Sequence, residues 1–356
     1  MADQPAAEAR HLAHHLRRQV HQMVPLHLLQ FGVGGTTADQ SLDLLATPQF
    51  QTWVYHHIIL DPTVRRYPPA PAYLRGFLKA YLARVERVGS VGVDEDLLTY
   101  YLDLLATTPP TGGVPQEMCY KTYCLDNSTA GPPISQDIPK AHAPRSITLK
   151  EGQLLITQGT TGLRTWEAAL RLAEYVLYCT PNTATDPTNP HPLIEQGVLE
   201  LGSGTGLVGL TCATLATTAT ARDVVLSDYH PDVLRLLEAN VTIHRTCHPA
   251  SVPVRVVTLD WEQFDQGDAS AYSGYTVFGA DLVYDPSIVP ALVWVVATLT
   301  RAKCTVYLAS TVRNEMTFGL FLATLSKFSA NLQPWADGCH TWPQCADWVH
   351  RICNSD

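Results

Sequence analysis

Apolar positions in the first hundred residues recur at helical spacing. Leu12, Leu16, Val20 and Met23 share one helix face, and so do Leu74, Leu78, Leu82 and Val85, which follow the proline breaker at Pro68–Pro71. A third amphipathic stretch, Asp94–Leu105, stops ahead of Pro109-Pro110. Residues 1–118 therefore predict a helical domain. Thr111–Pro144 is rich in Pro, Gly, Ser and Thr and has little periodicity, which predicts a linker or loop over 119–145.

From Ser146 the pattern changes. Ser146–Lys150 predicts a strand and Trp166–Tyr178 a helix, with a proline-containing loop over Thr180–Pro192. Short apolar runs then alternate with amphipathic ones. Gly197–Leu201, Asp223–Ser227, Val254–Thr258, Val277–Val283 and Cys304–Ala309 predict strands. Gly206–Thr217, Pro231–His244, Val289–Thr300 and Glu315–Phe328 predict helices. Such alternation predicts a parallel α/β sheet covered by helices on both faces, in a second domain spanning 146–356. Within the last 28 residues, Trp348–Cys353 predicts one strand of a terminal antiparallel pair.

Composition narrows the function classes. The 356 residues are 46% hydrophobic, enough for a sizeable core, and carry a formal net charge of −9 without any run of Lys or Arg. That balance argues against a nucleic-acid partner. The longest apolar run, Val289–Leu299, is too short to span a bilayer, and Met1–Arg10 has no apolar signal core. Nine cysteines without a Cys-x-x-Cys pair fit reduced thiols, so a cytoplasmic protein away from membranes is expected. His11, His14 and His15, and the C-terminal Cys339, His340, Cys345, His350 and Cys353, show no recognised metal-ligand spacing, and no metal is expected.

The candidate chemistry lies at the ends of the predicted strands. Val198–Gly209 reads as an apolar strand carrying Glu200, a turn through Gly202, Ser203, Gly204 and Gly206, and the start of a helix. Glycines admit tight turns and close ligand approach, and the helix N–H groups point at the same place. Gly204-x-Gly206-x-x-Gly209 also matches the dinucleotide fingerprint, with Asp228 as the ribose acid, so a nicotinamide-dependent oxidoreductase is a competing reading. Glu200 argues the other way, since a carboxylate there suits an ammonium and repels a pyrophosphate.

Asp228 either accepts hydrogen bonds from ribose hydroxyls or caps the helix that begins at Pro231. Trp261 either flanks an adenine beside Asp260 or belongs to the core. Asp281 and Tyr284 can converge only if their strand ends between them, as Asp285-Pro286 suggests.

Taken together, these segments resemble the seven-strand S-adenosylmethionine-dependent protein-lysine methyltransferases. The marks are residues 158–169 (Gln-Gly-Thr-Thr-Gly-Leu-Arg-Thr-Trp-Glu-Ala-Ala), Leu199–Gly209, Ser227–Pro231, Asp281–Tyr284 and Ala309–Asn314. The first string is the most specific and points to the branch that modifies translation elongation factor 2. The resemblance implies a Rossmann-like seven-strand sheet preceded by a smaller helical domain that recognises a protein substrate. It implies S-adenosylmethionine held by Trp166, Glu200, Gly202, Ser203, Gly204, Asp228, Trp261 and Ala280, with Asp281 and Tyr284 facing the target lysine. Another protein substrate, or a catalytically silent module that binds a translation factor, are the alternatives to that expectation.

Overall fold

A computed structural model describes residues 7–32, 38–89, 91–107, 118–125, 146–153, 160–179, 193–216, 222–328, 330–334 and 348–354. The chain divides into two compact units, Met1–Gln153 and Leu154–Asp356.

The first unit is mainly helical: α1 (Ala7–His21), α2 (Ala38–Ala46), α3 (Pro48–Val54), α4 (Pro62–Arg66), α5 (Pro71–Val88) and α6 (Glu95–Thr107). Local chemistry sets several ends. Thr47 Oγ1 accepts from Phe50 N at 3.3 Å and Asp61 Oδ1 accepts from Thr63 N at 2.9 Å. Each cap precedes a proline in the first helical turn, where the missing N–H costs nothing. α5 stops where Gly89 takes a φ of +67°. The expected apolar stripes face inward: Leu12, Leu16 and Val20 of α1 join Phe50 of α3 and Leu74, Phe77 and Leu78 of α5 in one core. Tyr81, fully buried there, donates its hydroxyl to the Leu45 carbonyl at 2.8 Å.

The segment expected to be a linker contains a strand. β1 (Met118–Cys124) pairs antiparallel with β2 (Ser146–Gly152), Met118 opposite Gly152 and Cys124 opposite Ser146. The strand beginning at Ser146 pairs with β1 and falls in the compact unit Met1–Gln153; residues 126–145 lie outside the described residues. β1 has a weak hydrophobic signature because its polar groups pair internally. The buried Glu151 accepts from the Tyr123 hydroxyl at 2.7 Å and meets Lys121 Nζ at 3.1 Å, and the Thr122 and Thr148 hydroxyls lie 2.9 Å apart.

The second unit runs α7 (Glu167–Tyr178), β3 (Val198–Leu201), α8 (Leu207–Leu215), β4 (Val224–Asp228), α9 (Pro231–Cys247), β5 (Val254–Thr258), α10 (Gln266–Ser270), β6 (Thr276–Ala280), α11 (Val289–Arg301), β7 (Thr305–Ser310), α12 (Glu315–Leu325), β8 (Ala330–Pro334) and β9 (Trp348–Asn354). The sheet has seven strands in the order β5-β4-β3-β6-β7-β9-β8. β5, β4, β3, β6 and β7 are parallel, and β9 and β8 form the expected antiparallel pair at the β7 edge. One face packs Leu199, Leu201, Val277 and Leu308 against Val289, Leu292 and Val296 of α11 and Phe321 of α12. On the other face Phe278 stacks on Tyr307, whose ring also meets Tyr175 of α7. Helices thus cover both faces, and the central strands read as continuous apolar runs for that reason.

Strand order reverses between β3 and β6. Crevices outside the carboxyl ends of parallel strands at such a switch point are where ligands bind.

Candidate active site

At that switch point a cavity of about 610 Å³ opens, walled by the carboxyl ends of β3, β4, β5 and β6 and by the segment before α7. The ten residues that the resemblance assigns to cofactor and lysine all line it: Trp166, Glu200, Gly202, Ser203, Gly204, Asp228, Trp261, Ala280, Asp281 and Tyr284. Gln158 and Gly159, the start of the most specific string, lie outside the described residues.

The floor is the turn after β3. Gly202, Gly204 and Gly206 all have positive φ, +53°, +55° and +85°. At Gly204 a Cβ would sit 3.1 Å from the Gly162 carbonyl oxygen, so the segment before α7 packs directly onto the turn. The two are also joined by the Thr165 and Thr205 hydroxyls, 2.6 Å apart. Ser203 serves the turn itself: its Oγ donates to the Glu200 carbonyl at 3.0 Å and accepts from Ser227 N at 2.9 Å.

Glu200 is 3% exposed, and its Oε2 accepts from Gly209 N at 3.0 Å in the first turn of α8. Burial pushes its carboxyl up to about 8, against hydrogen bonds from Gly209, Val208 and Ser203. Near pH 7 the group is therefore largely protonated unless a cation lies beside it, and an ammonium brought alongside would restore its charge. Repulsion of a pyrophosphate, expected from a charged Glu200, is correspondingly weaker than the sequence suggested.

Asp228 ends β4. Its Oδ1 accepts from Tyr229 N at 2.8 Å and His230 N at 3.1 Å, and its Oδ2 faces Gly204 N at 3.4 Å. Burial raises its pKa against those bonds. The cap of α9 is His230, whose Nδ1 accepts from Asp232 N, so the capping reading of Asp228 does not hold. Trp261 packs against the core and also lines the cavity. Trp166 precedes α7 and is fixed by its Nε1 donating to the Thr161 carbonyl at 3.0 Å.

The strand carrying Asp281 is shorter than expected. β6 ends at Ala280, and Asp281 takes a left-handed φ of +54°, unusual for a residue with a side chain. Asp281 N donates to the Ala309 carbonyl at 2.8 Å while Oδ1 accepts from Thr311 N at 2.8 Å. Turning out of the sheet here lets Asp281 and Tyr284 line the same cavity, Tyr284 at its exposed rim. Burial raises the Tyr284 pKa, keeping its hydroxyl protonated.

Arg313 was missed as a site residue. It lies beyond the end of β7, with Nη1 3.2 Å from Asp281 Oδ1 and its guanidinium 5.0 Å from the Trp166 ring centroid. The only signal for it was its place in the string Ala309–Asn314 after a strand end.

Sequence comparison agrees with this geometry. The profile of a family described as lysine methyltransferase matches residues 148–328. The chain belongs to the lysine methyltransferase family. It is 30% identical to the protein-lysine N-methyltransferase EEF2KMT of Homo sapiens, over 77% of this chain and 76% of that one. It is 31% identical to the Bos taurus protein of the same name, over 79% and 80% of the two chains. The protein-lysine N-methyltransferase EFM3 of Chaetomium thermophilum is 30% identical, over 83% and 86%.

For a lysine methyltransferase the two sides of the cavity make chemical sense. Carboxyls and glycines at β3 and β4 suit a polar cofactor with an ammonium and a ribose, whereas Asp281 and Tyr284 at β6 suit an amine. Among the described residues no group of three or more His, Cys, Asp or Glu is placed to hold a metal, and Cys339, His340 and Cys345 lie outside them. No helix among the described residues is long and apolar enough to cross a membrane.

Proposed function

We propose that this lysine methyltransferase uses S-adenosylmethionine to methylate a lysine side chain of translation elongation factor 2 in the cytoplasm. The convergence of four strand ends on one cavity carries the reading, with a cofactor half and an amine half side by side. The names of the relatives, EEF2KMT among them, support the substrate.

The donor set fits the cofactor. Glu200 gains its charge back beside an ammonium, Asp228 would accept from ribose hydroxyls, and Trp261 would flank the adenine. Gly202, Ser203, Gly204 and Ala280 would line the cofactor's path, with Trp166 closing it. Bound there, S-adenosylmethionine supplies a methyl group activated by a sulfonium.

The chain's own residues must present a neutral amine. A free lysine with a pKa of ~10.4 is neutral in roughly one molecule in two thousand at pH 7. Asp281 holds and orients the incoming ammonium, and Tyr284 at the rim hydrogen-bonds the amine. Loss of the ammonium's hydration favours the neutral form, and alignment within a walled cavity lowers the entropic cost of transfer. The helical first unit grips the protein substrate.

Label from tritiated S-adenosylmethionine should enter a protein of elongation factor 2 size in a ribosome-depleted lysate, and then purified elongation factor 2. Asp281→Ala should cut transfer by roughly 100-fold or more while cofactor affinity stays within about twofold. Label entering another protein would replace the substrate. Affinity falling in step with activity would make Asp281 a cofactor ligand.

A further inference from the structure

We propose that Arg313 guards the acceptor carboxylate: its guanidinium occupies Asp281 until the lysine ammonium of the protein substrate displaces it. Arg313 is then a specificity-determining residue that admits only a cationic acceptor. The inference rests on the reading of Asp281 as the group that receives the lysine.

The two partners differ in freedom. The Asp281 side chain is 6% exposed and the Arg313 side chain 45%. Asp281 is fixed without Arg313, through its own N–H to the Ala309 carbonyl and through Thr311 N–H to Oδ1, both at 2.8 Å. The guanidinium adds longer contacts, Nη1 at 3.2 Å from Oδ1 and Nη2 at 3.3 Å from Oδ2. With the guanidinium gone, Oδ2 keeps, among the described residues, the Thr311 hydroxyl at 3.5 Å and can take a new donor.

Arg313 also has somewhere to go. Its guanidinium already lies 5.0 Å from the centre of the Trp166 ring, a face that attracts a cation, and Trp166 is held in place by Thr161. A shift of the head group from carboxylate toward ring keeps it on the same cavity wall.

Charge decides what can displace it. Arginine stays protonated at any working pH. A neutral or anionic group taking its place would leave the carboxylate without a counter-charge, which is unfavourable by about the worth of the half-exposed pair it replaces. An ammonium restores the balance, one cation leaving as another arrives. No covalent step is involved.

Arg313→Ala, Arg313→Gln and Arg313→Lys separate guarding from positioning. With purified elongation factor 2, Arg313→Ala and Arg313→Gln should lower the KM for the protein about fivefold, the size of a half-exposed ion pair. Arg313→Lys, which keeps a cation there, should stay near the wild-type KM. Independently of activity, Nα-acetyl-lysine amide followed by tryptophan fluorescence should bind Arg313→Ala about fivefold more tightly than wild type. An unchanged or raised KM, with kcat lost and then restored by Arg313→Lys, would overturn guarding and make Arg313 a prop for Asp281. Equal amide binding to wild type and Arg313→Ala would overturn it too. If the wild type transfers no methyl group to elongation factor 2, that substrate fails, and amide binding still decides the role of Arg313.

Discussion

Glu200 is held as a neutral strut and is also placed to serve as a charge. Its Oε2 takes the Gly209 N–H, which a neutral carboxyl or an amide can also accept, whereas pairing with an ammonium needs ionisation. Its ordinary pKa of 4.5 rises to about 8 in the fold. Between those values the folded chain keeps a proton that the unfolded chain has released. The group's contribution to stability is therefore complete below pH 4.5 and is lost as pH rises to 8. His21 and His244 run the other way, lowered by burial to about 4 and about 3, so their contribution is present above 6.5 and lost as pH falls. The window from 6.5 to 8 isolates Glu200 from both. Calorimetry should show the wild-type melting temperature falling across that window and Glu200→Gln flattening the slope. Identical slopes would mean that the carboxyl is ionised throughout. Which residues carry charge was legible from sequence, but the bond to Gly209 was not, because it depends on how closely α8 lies on β3.

That closeness belongs to the elements. Gly209 is helical, with no unusual φ, yet a Cβ there would lie 2.2 Å from Leu226 Cδ2 and 2.9 Å from Glu200 Oε2. Both neighbours are buried and cannot swing into solvent. The three turn glycines are needed for backbone conformation, while Gly209 is needed for the seating of α8 against β3 and β4. Gly209→Ala should gain roughly 1 kcal/mol of helix propensity and lose about 1–3 kcal/mol to overpacking. A lower midpoint in urea with an unchanged slope is expected; a midpoint at or above wild type would show that Leu226 repacks freely.

Element types in the second unit were legible because its central strands, buried on both faces, are plain apolar runs. The end of β6 was not. Leu282 and Val283 extend the apolar pattern past Ala280, whereas the strand ends where Asp281 takes a left-handed φ of +54° and its Oδ1 accepts from Thr311 N, which no apolar pattern encodes. Arg313 escaped notice for the same reason, since its contact joins residues 32 positions apart in the chain.

At the scale of the whole chain, the two units differ in how openly the sequence announces them. The helical unit advertises its stripes but conceals β1, whose Lys121, Thr122 and Tyr123 find partners on β2 rather than in an apolar face. The sheet unit advertises its strand order only through the series of motifs at the strand ends, and a glycine turn alone leaves a dinucleotide open. Ligand linkage separates the two cofactors without requiring turnover. A ligand at about 100 times its Kd adds ~2.7 kcal/mol to the state that binds it. S-adenosylhomocysteine should therefore slow hydrogen exchange in 160–166, 199–206, 228–230 and 259–262, the segments that meet at the cavity. Protection at 228–230 is expected because the Tyr229 and His230 amides already point at Asp228 and tighten when its carboxylate is engaged, and the ligand that confers it is the discriminating signal. NAD at the same concentration should leave all four segments unchanged. Protection by NAD and none by S-adenosylhomocysteine would return the glycine turn to an oxidoreductase.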